Sequence, residues 1–206
     1  MKQVTITYLG HACFCLEFEG YRTVLDPYDN GKVPGLADLC VEAEAVYCSH
    51  DHADHNAVQC VHLTNRGTAP YTVTELVTPH DHAGGKKRGM NTVRMFDFGG
   101  LRVAHMGDVG RPLTAEETAV LSGVDCLLIP VGGFFTISAG EAKEMADAVK
   151  AKVIVPMHYR TKGAGYPLLA TVETFTDLCT NVCRTGSSFV LDEKTPAQVL
   201  VMTNNN

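Results

Sequence analysis

A chain of 206 residues has room for one sizeable core. Its formal charge of -6 disfavours a general nucleic-acid or anionic-membrane binder, because either partner repels it at long range. Apolar and charged residues stand in an ordinary globular balance, and nowhere do about eighteen apolar residues run together, so no membrane span is expected.

The opening, "MKQVTITYLGHACFCLEFEG", alternates like a strand and lacks the apolar run and cleavage site of a secretion signal, so a cytoplasmic location is expected. The eight cysteines then read as free thiols. Cys13, Cys15, Cys48 and Cys126 sit in apolar runs, and no CxxC pair offers a thiolate zinc site. The first half predicts strands over 3–9, 13–18, 23–25, 45–48, 71–78, 92–98 and 101–106, punctuated by Gly, Pro, Asp and Asn. "DFGGLRV" predicts a hairpin with a Gly-Gly turn.

After Asp108 the rhythm changes. Thr114 and Glu117 have capping-box spacing and open a short helix, and "VDCLLIPV" reads as a buried strand. Ser138 and Glu141 repeat that spacing. Ala139, Ala142, Met145, Ala146 and Val149 then recur on one helical face. "AKVIVPM" reads as another buried strand, 168–178 as a helix and 198–202 as a last strand. Strands alternating with helices after a strand-rich half predict sheets packed under outer helices.

Four of these strands deliver a metal-capable side chain just past their carboxyl ends: His50, His80, Asp108 and His158. Loops at such ends converge above a rigid sheet. In extended chain, residues two apart face the same way about 6.6 Å apart, so His50 and His52 can share an ion. Asp54 and His55 follow as the chain turns and can face a neighbouring ion. His50, His52 and His80 would hold the first ion and Asp54, His55 and His158 the second, with Asp108 bridging. Two ions about 3.5–4 Å apart form a recurrent hydrolytic arrangement. The alternative is a solvated histidine-rich loop, or a helix start capped by Asp54. His82 competes with His80 for its place, but His80 comes first after the strand.

In this pattern the chain resembles the metallo-β-lactamase fold superfamily. Its signature residues stand here as "HDHADH" at 50–55, His80 in "TPHDH", Asp108 in "HMGDVG" and His158 in "VPMHY". "YLGHACFCLEFEGYRTVLDPY" resembles the family's opening strands. "HDHAGGKKRGMNTV" and "IPVGGFFTISAGEA" resemble a branch that includes L-ascorbate 6-phosphate lactonase-like hydrolases. The resemblance implies an α/β fold, an αβ/βα four-layer sandwich of two mixed sheets flanked by helices. A single such domain is expected over 1–203, and the polar tail 204–206 is expected to be disordered. The di-iron flavoprotein members carry Glu where this chain has His52, and the all-imidazole trio suits zinc and hydrolysis better.

The function implied is that of a metal-dependent hydrolase, in which a hydroxide activated by two metal ions attacks a small anionic ester, lactone or phosphodiester. The cofactors expected are two divalent ions, Zn2+ by default, with Mn2+ or Fe2+ accepting the same ligands. Asp54 and Asp108 are the expected catalytic carboxylates. Alternatives are a nuclease-type phosphodiesterase, which the acidic charge weakens, and a metal-binding sensor or scaffold without turnover. The partner expected is a small anionic substrate, with neither nucleic acid nor membrane, and no particular oligomeric state is implied. Basic residues recur beside the ligands. Some of Lys86, Lys87, Arg88, Arg111, Arg160 and Lys162 are expected to bind phosphate or carboxylate, with Arg88, Arg111, Thr136 and Arg160 as the chosen substrate contacts. Phe134 and Phe135 either wall the pocket or pack in the core. His11, Asp26 and His105 either orient ligands or are satisfied core groups. His62 is expected on a helix surface.

Overall fold

The computed structural model describes residues 2–65 and 67–204. Its strands are β1 (Val4–Gly10), β2 (Cys13–Phe18), β3 (Tyr21–Leu25), β4 (Val41–Ala43), β5 (Ala45–Tyr47), β6 (Val61–Leu63) and β7 (Thr72–Pro79). They continue as β8 (Met90–Asp97), β9 (Arg102–His105), β10 (Cys126–Pro130), β11 (Val153–Met157), β12 (Val182–Thr185), β13 (Ser188–Leu191) and β14 (Gln198–Met202). The helices α1 (Ala115–Leu121), α2 (Ala139–Val149) and α3 (Glu173–Thr176) all lie in the second half.

Two mixed sheets result. A five-stranded sheet has the order β13-β1-β2-β3-β5, and a seven-stranded sheet the order β12-β14-β11-β10-β9-β8-β7. The side-chain pattern explains why they face each other. β1 buries Val4, Ile6 and Tyr8 on one face. In β2, Phe14, Leu16 and Phe18 join the same main core as Phe96 and Leu128 of the larger sheet. Its alternate residues Cys13 and Cys15 join a smaller cluster with Val24, Tyr28 and Val33. Strands β10 and β11 are apolar throughout, as parallel strands covered on both faces must be. The Gly-Gly hairpin joins β8 to β9, with the Phe98 N–H donating to the Leu101 carbonyl at 2.9 Å.

This is the α/β sandwich that the sequence implied. α2 packs on β10 with α1 and α3 beside it. The outer face of the five-stranded sheet is covered differently. The smaller cluster takes Tyr28, Val33 and Leu39 from the segment after β3, with Ala43 and Val61 from the β4–β6 ribbon. Among the described residues no helix is long and apolar enough to cross a membrane. All eight cysteines are free.

Several local expectations change. Only Glu173–Thr176 of the helix expected over 168–178 is α-helical. Thr171, Val172, Thr174 and Thr176 are β-branched, and no side chain caps the turn. His62 lies on β6, exposed on a strand rather than a helix. Of the expected tail, Asn204 is described, and its Nδ2 donates to the Leu9 carbonyl at 3.0 Å. Asn205 and Asn206 lie outside the described residues.

Both capping boxes form, at Thr114 and Ser138. α2 ends at Lys150, whose φ of 57° is left-handed. A side chain with a Cβ is disfavoured there, and glycine is the residue that fits. Lys150→Gly is expected to stabilise the protein by about 0.5–1 kcal/mol, read as a higher urea midpoint at unchanged slope. A lower midpoint would contradict the left-handed cap.

Candidate metal centre

The two sheets deliver the polar residues to one edge. His50 follows β5 of the smaller sheet, and His80, Asp108 and His158 follow β7, β9 and β11 of the larger one. Local backbone requirements hold them close. Gly107 has φ +52°, and a Cβ on it would collide with Asn91 Oδ1 and Ser49. A Cβ on Gly110 would collide with the His80–Asp81 backbone. The two glycines of "HMGDVG" therefore let the Asp108 loop nest against the His50 and His80 loops. Asn91 completes this joint. Its Oδ1 accepts the Asp108 N–H at 2.8 Å, and its Nδ2 donates to the Met106 carbonyl at 2.9 Å.

Two groups of donors converge. The available nitrogens of His50, His52 and His80 all lie within 4.8 Å of one another. So do donor atoms of His11, Asp54, His55 and His158. Asp108 stands between the groups. Its Oδ2 is 3.3 Å from His55 Nε2 and from His158 Nε2, 3.5 Å from His80 Nε2 and 4.0 Å from His50 Nε2. His50 Nε2, His55 Nε2 and Asp108 Oδ1 are buried without a hydrogen-bond partner among the described residues. Buried polar atoms normally have partners. Imidazole nitrogens and carboxylate oxygens turned inward without one make a donor set that fits divalent cations.

Asp26 fixes how two of these rings face. Its Oδ2 accepts from His55 Nδ1 at 2.8 Å and from Ser49 Oγ at 2.5 Å, and its Oδ1 accepts the Ser49 N–H at 2.6 Å. Ser49 Oγ also lies 2.9 Å from His50 Nδ1. The hydroxyl has one hydrogen and gives it to Asp26, so His50 Nδ1 is the donor in that contact. Both rings thus carry a proton on Nδ1 and turn Nε2 toward the centre.

Burial, followed by the neighbouring His55, lowers His50 to a pKa of about 3. Burial and His158 lower His11 to about 4. These rings are neutral near pH 7. His55 differs. Burial opposes its charge, but Asp108 and then Asp26 outweigh burial and hold its pKa well above the ordinary value. Burial likewise opposes ionisation of Asp108, yet His158 and His55 hold its carboxyl well below the usual range.

A family model described as a beta-lactamase superfamily domain matches residues 5–158. A crystal structure from Thermotoga maritima, titled a candidate Zn-dependent hydrolase of the metallo-beta-lactamase superfamily, is 36% identical. It superposes with a TM-score of 0.75 over 97% of this chain and 98% of its own. The chain belongs to the metallo-beta-lactamase superfamily of metal-dependent hydrolases. A UPF0173 metal-dependent hydrolase of Carboxydothermus hydrogenoformans is 29% identical, covering 80% of this chain and 87% of the relative. Igni18, a metallo hydrolase of Ignicoccus hospitalis, is 19% identical, with a TM-score of 0.65 over 93% of this chain and 100% of its own, and shows the shared fold.

In this metallo-beta-lactamase chain a cleft of about 460 Å³ opens over the histidines. Its walls include His52, Asp54, His80, Asp108 and His158, with Lys32, Arg88, Phe135 and Tyr166 around them. Of the four expected substrate contacts only Arg88 lines the cleft, with its guanidinium 4.7 Å from the centroid of the Phe135 ring. Arg111 instead makes two hydrogen bonds to Glu117, at 2.7 and 2.8 Å, because that capping residue also offers a carboxylate. Thr136 is buried, and its hydroxyl turns to the Ile137 carbonyl at 3.4 Å. Arg160 and Lys162 line a different cavity, while Lys86 and Lys87 are exposed and do not line this one. Phe134 is exposed.

The loop carrying Arg88 is organised by Asp81. Its two carboxylate oxygens accept four backbone N–H groups, from Ala83, Gly85, Lys87 and Arg88, at 2.7–3.1 Å. His82 is exposed and lies 3.6 Å from Glu141, away from the convergent nitrogens. His105 is a satisfied core histidine, with Nε2 2.9 Å from the Ala12 carbonyl and Nδ1 accepting the Gly107 N–H at 3.2 Å. His11 reaches further in than an edge residue, its Nε2 standing 3.2 Å from Asp54 Oδ2. Position just after β1 is the sequence signal for His11. Lys32 and Tyr166 lie in irregular segments with no periodic signal.

Two outcomes are expected. Asp26→Asn keeps the shape but removes the charge that accepts from His55 directly and orients His50 through Ser49, so divalent-ion affinity falls about 10–100-fold in chelator competition while the far-UV spectrum is retained. Unchanged affinity would show that the rings orient without Asp26. Because Asp108 and then Asp26 raise the pKa of His55 against burial, a cation at its Nε2 competes with a proton. Ion loading near neutral pH is therefore expected to release protons, read by calorimetry in buffers of different ionisation heat.

Proposed function

We propose that the chain hydrolyses a small anionic ester, lactone or phosphodiester at a centre of two divalent ions, zinc by default. One observation carries this reading. A single oxygen, Asp108 Oδ2, borders nitrogens of both donor groups at 3.3–4.0 Å. On this reading His50, His52 and His80 would hold one ion and Asp54, His55 and His158 the other, with Asp108 within reach of both groups. His11 is a further donor beside Asp54. When bound, divalent ions supply Lewis acidity and bring the pKa of water down toward neutrality.

The chain's own groups would do the rest. Burial opposes ionisation of Asp54, but the His11 hydrogen bond and His55 outweigh it and keep its carboxyl below the usual range. That state suits a cation ligand rather than a proton donor. The Tyr166 phenol is pushed up to about 12, by burial first and by Asp54 next, so it keeps its proton and can donate a hydrogen bond to a substrate oxygen. Arg88, stacked on Phe135 at the cleft wall, offers a guanidinium to a carboxylate or phosphate, with Lys32 as a second cation. The cytoplasm is the expected setting, where eight free cysteines stay reduced.

The test is a panel of anionic esters, phosphodiesters and lactones, sugar-phosphate lactones included because of the branch resemblance, assayed on fully loaded protein with and without chelator. Turnover is expected to vanish with chelator and to fall to background in Asp108→Ala. Arg88→Ala is expected to raise KM for anionic substrates about tenfold with kcat nearly unchanged. Two tightly held ions with no turnover on any substrate would favour a metal-binding sensor instead.

A further inference from the structure

A second cavity, of about 720 Å³, adjoins the cleft of about 460 Å³ over the histidines, and no residue lines both spaces. Their walls are nonetheless shared along the chain. Lys32 faces the cleft and Val33 the cavity, His158 the cleft and Tyr159 the cavity, Tyr166 the cleft and Gly165 the cavity. His11 lines the cavity, with its ring 4.1 Å from the His158 ring and 5.6 Å from the Tyr166 ring.

The lining has two chemistries. Tyr8, Leu36, Val172, Val201 and Met202 give apolar surface, all but Leu36 of them buried. Around it stand three cations, Arg160, Lys162 and Arg184, against one carboxylate, Glu173. Arg184 pairs with Glu173 at 3.3 Å. Arg160 and Lys162 are exposed and have no side-chain partner among the described residues. An excess of positive charge at the rim of an apolar space is unexpected in a chain of net charge -6. The segment that carries it is fixed. The Gly165 N–H donates to the Pro34 carbonyl at 2.8 Å, and the Arg160 N–H to the Ala170 carbonyl at 3.0 Å. The volume falls within the range of small-molecule sites, roughly 300–1,000 Å³.

We propose that this cavity binds a single-chain organic anion, its acid head group held by Arg160 and Lys162 and its hydrocarbon part along Val172, Val201 and Met202. Guanidinium and ammonium groups recognise carboxylate or phosphate, and burying the chain supplies the affinity. The occupant touches His11 and the 159–165 backbone, so it meets the partition of the cleft without entering it. Binding here is independent of whether the metal centre turns over any substrate.

The test uses ion-loaded protein with 13C-methyl methionine, in which seven methionines report. Met202 is assigned by Met202→Leu. The probes are octanoate and octyl phosphate, with octanol, acetate and inorganic phosphate as controls. Octanoate or octyl phosphate should shift the Met202 methyl saturably, with one molecule bound per chain. Octanol and acetate should bind at least tenfold more weakly, and Arg160→Ala with Lys162→Ala should lose at least tenfold. Arg88→Ala should leave the titration unchanged. The proposal is overturned if Met202 does not saturate or if octanol binds as well as octanoate. It is also overturned if Arg88→Ala abolishes binding while Arg160→Ala is silent, which would put the probe in the cleft. A Met202 shift that follows protein concentration rather than probe would assign the surface to a second copy of the chain instead.

Discussion

A buried carboxylate is stable only when its surroundings pay back its lost hydration, and Asp26 meets that condition by taking hydrogen bonds from Ser49 twice and from His55. Burial opposes its ionisation, but His105, His55 and Ser49 together hold its carboxyl below the ordinary value. That single charge governs the tautomer of His55 directly and of His50 through a hydroxyl. Both nitrogens aimed at the centre therefore depend on one residue that does not itself border the cleft.

The backbone around this network is strained at the same places. His11, Asp26 and His158 all adopt left-handed φ values, of 57°, 45° and 54°. Such positions cost of order 1–3 kcal/mol each when the residue is not glycine. They persist because neighbours overdetermine them. The His158 N–H donates to the His11 carbonyl at 2.9 Å, and the Asp26 N–H to the Tyr47 carbonyl at 2.9 Å. Three of the seven left-handed non-glycine residues among the described ones thus belong to this polar network, and the apolar core around it carries their cost.

Much of this was legible in the sequence because strand periodicity and strand ends are local signals. His80 and His158 follow directly on β7 and β11, so finding the strands located the side chains. The cations were harder. Arg111 stands three residues past Asp108, but the Glu that captures it was visible only as a helix cap. Arg160 stands two residues past His158, yet the chain turns there and sends it to the other side of the partition. The stretch 168–178 does bury Leu169, Val172 and Phe175 at helical spacing, but without a cap and with so many β-branched residues only one turn closes. Tyr166 sits in a segment with no repeat at all, and three-dimensional contact alone identifies it.

The turn after His80 has a further meaning. Four amide hydrogens pointing at one spot are what a backbone nest offers to an incoming phosphate. Here the chain has plugged that nest with its own Asp81 side chain. Backbone capture of a ligand is thereby closed off on this rim. On the proposed reading, selectivity would rest on the side-chain tips of Arg88 and Lys32, which can be exchanged with the turn itself left intact.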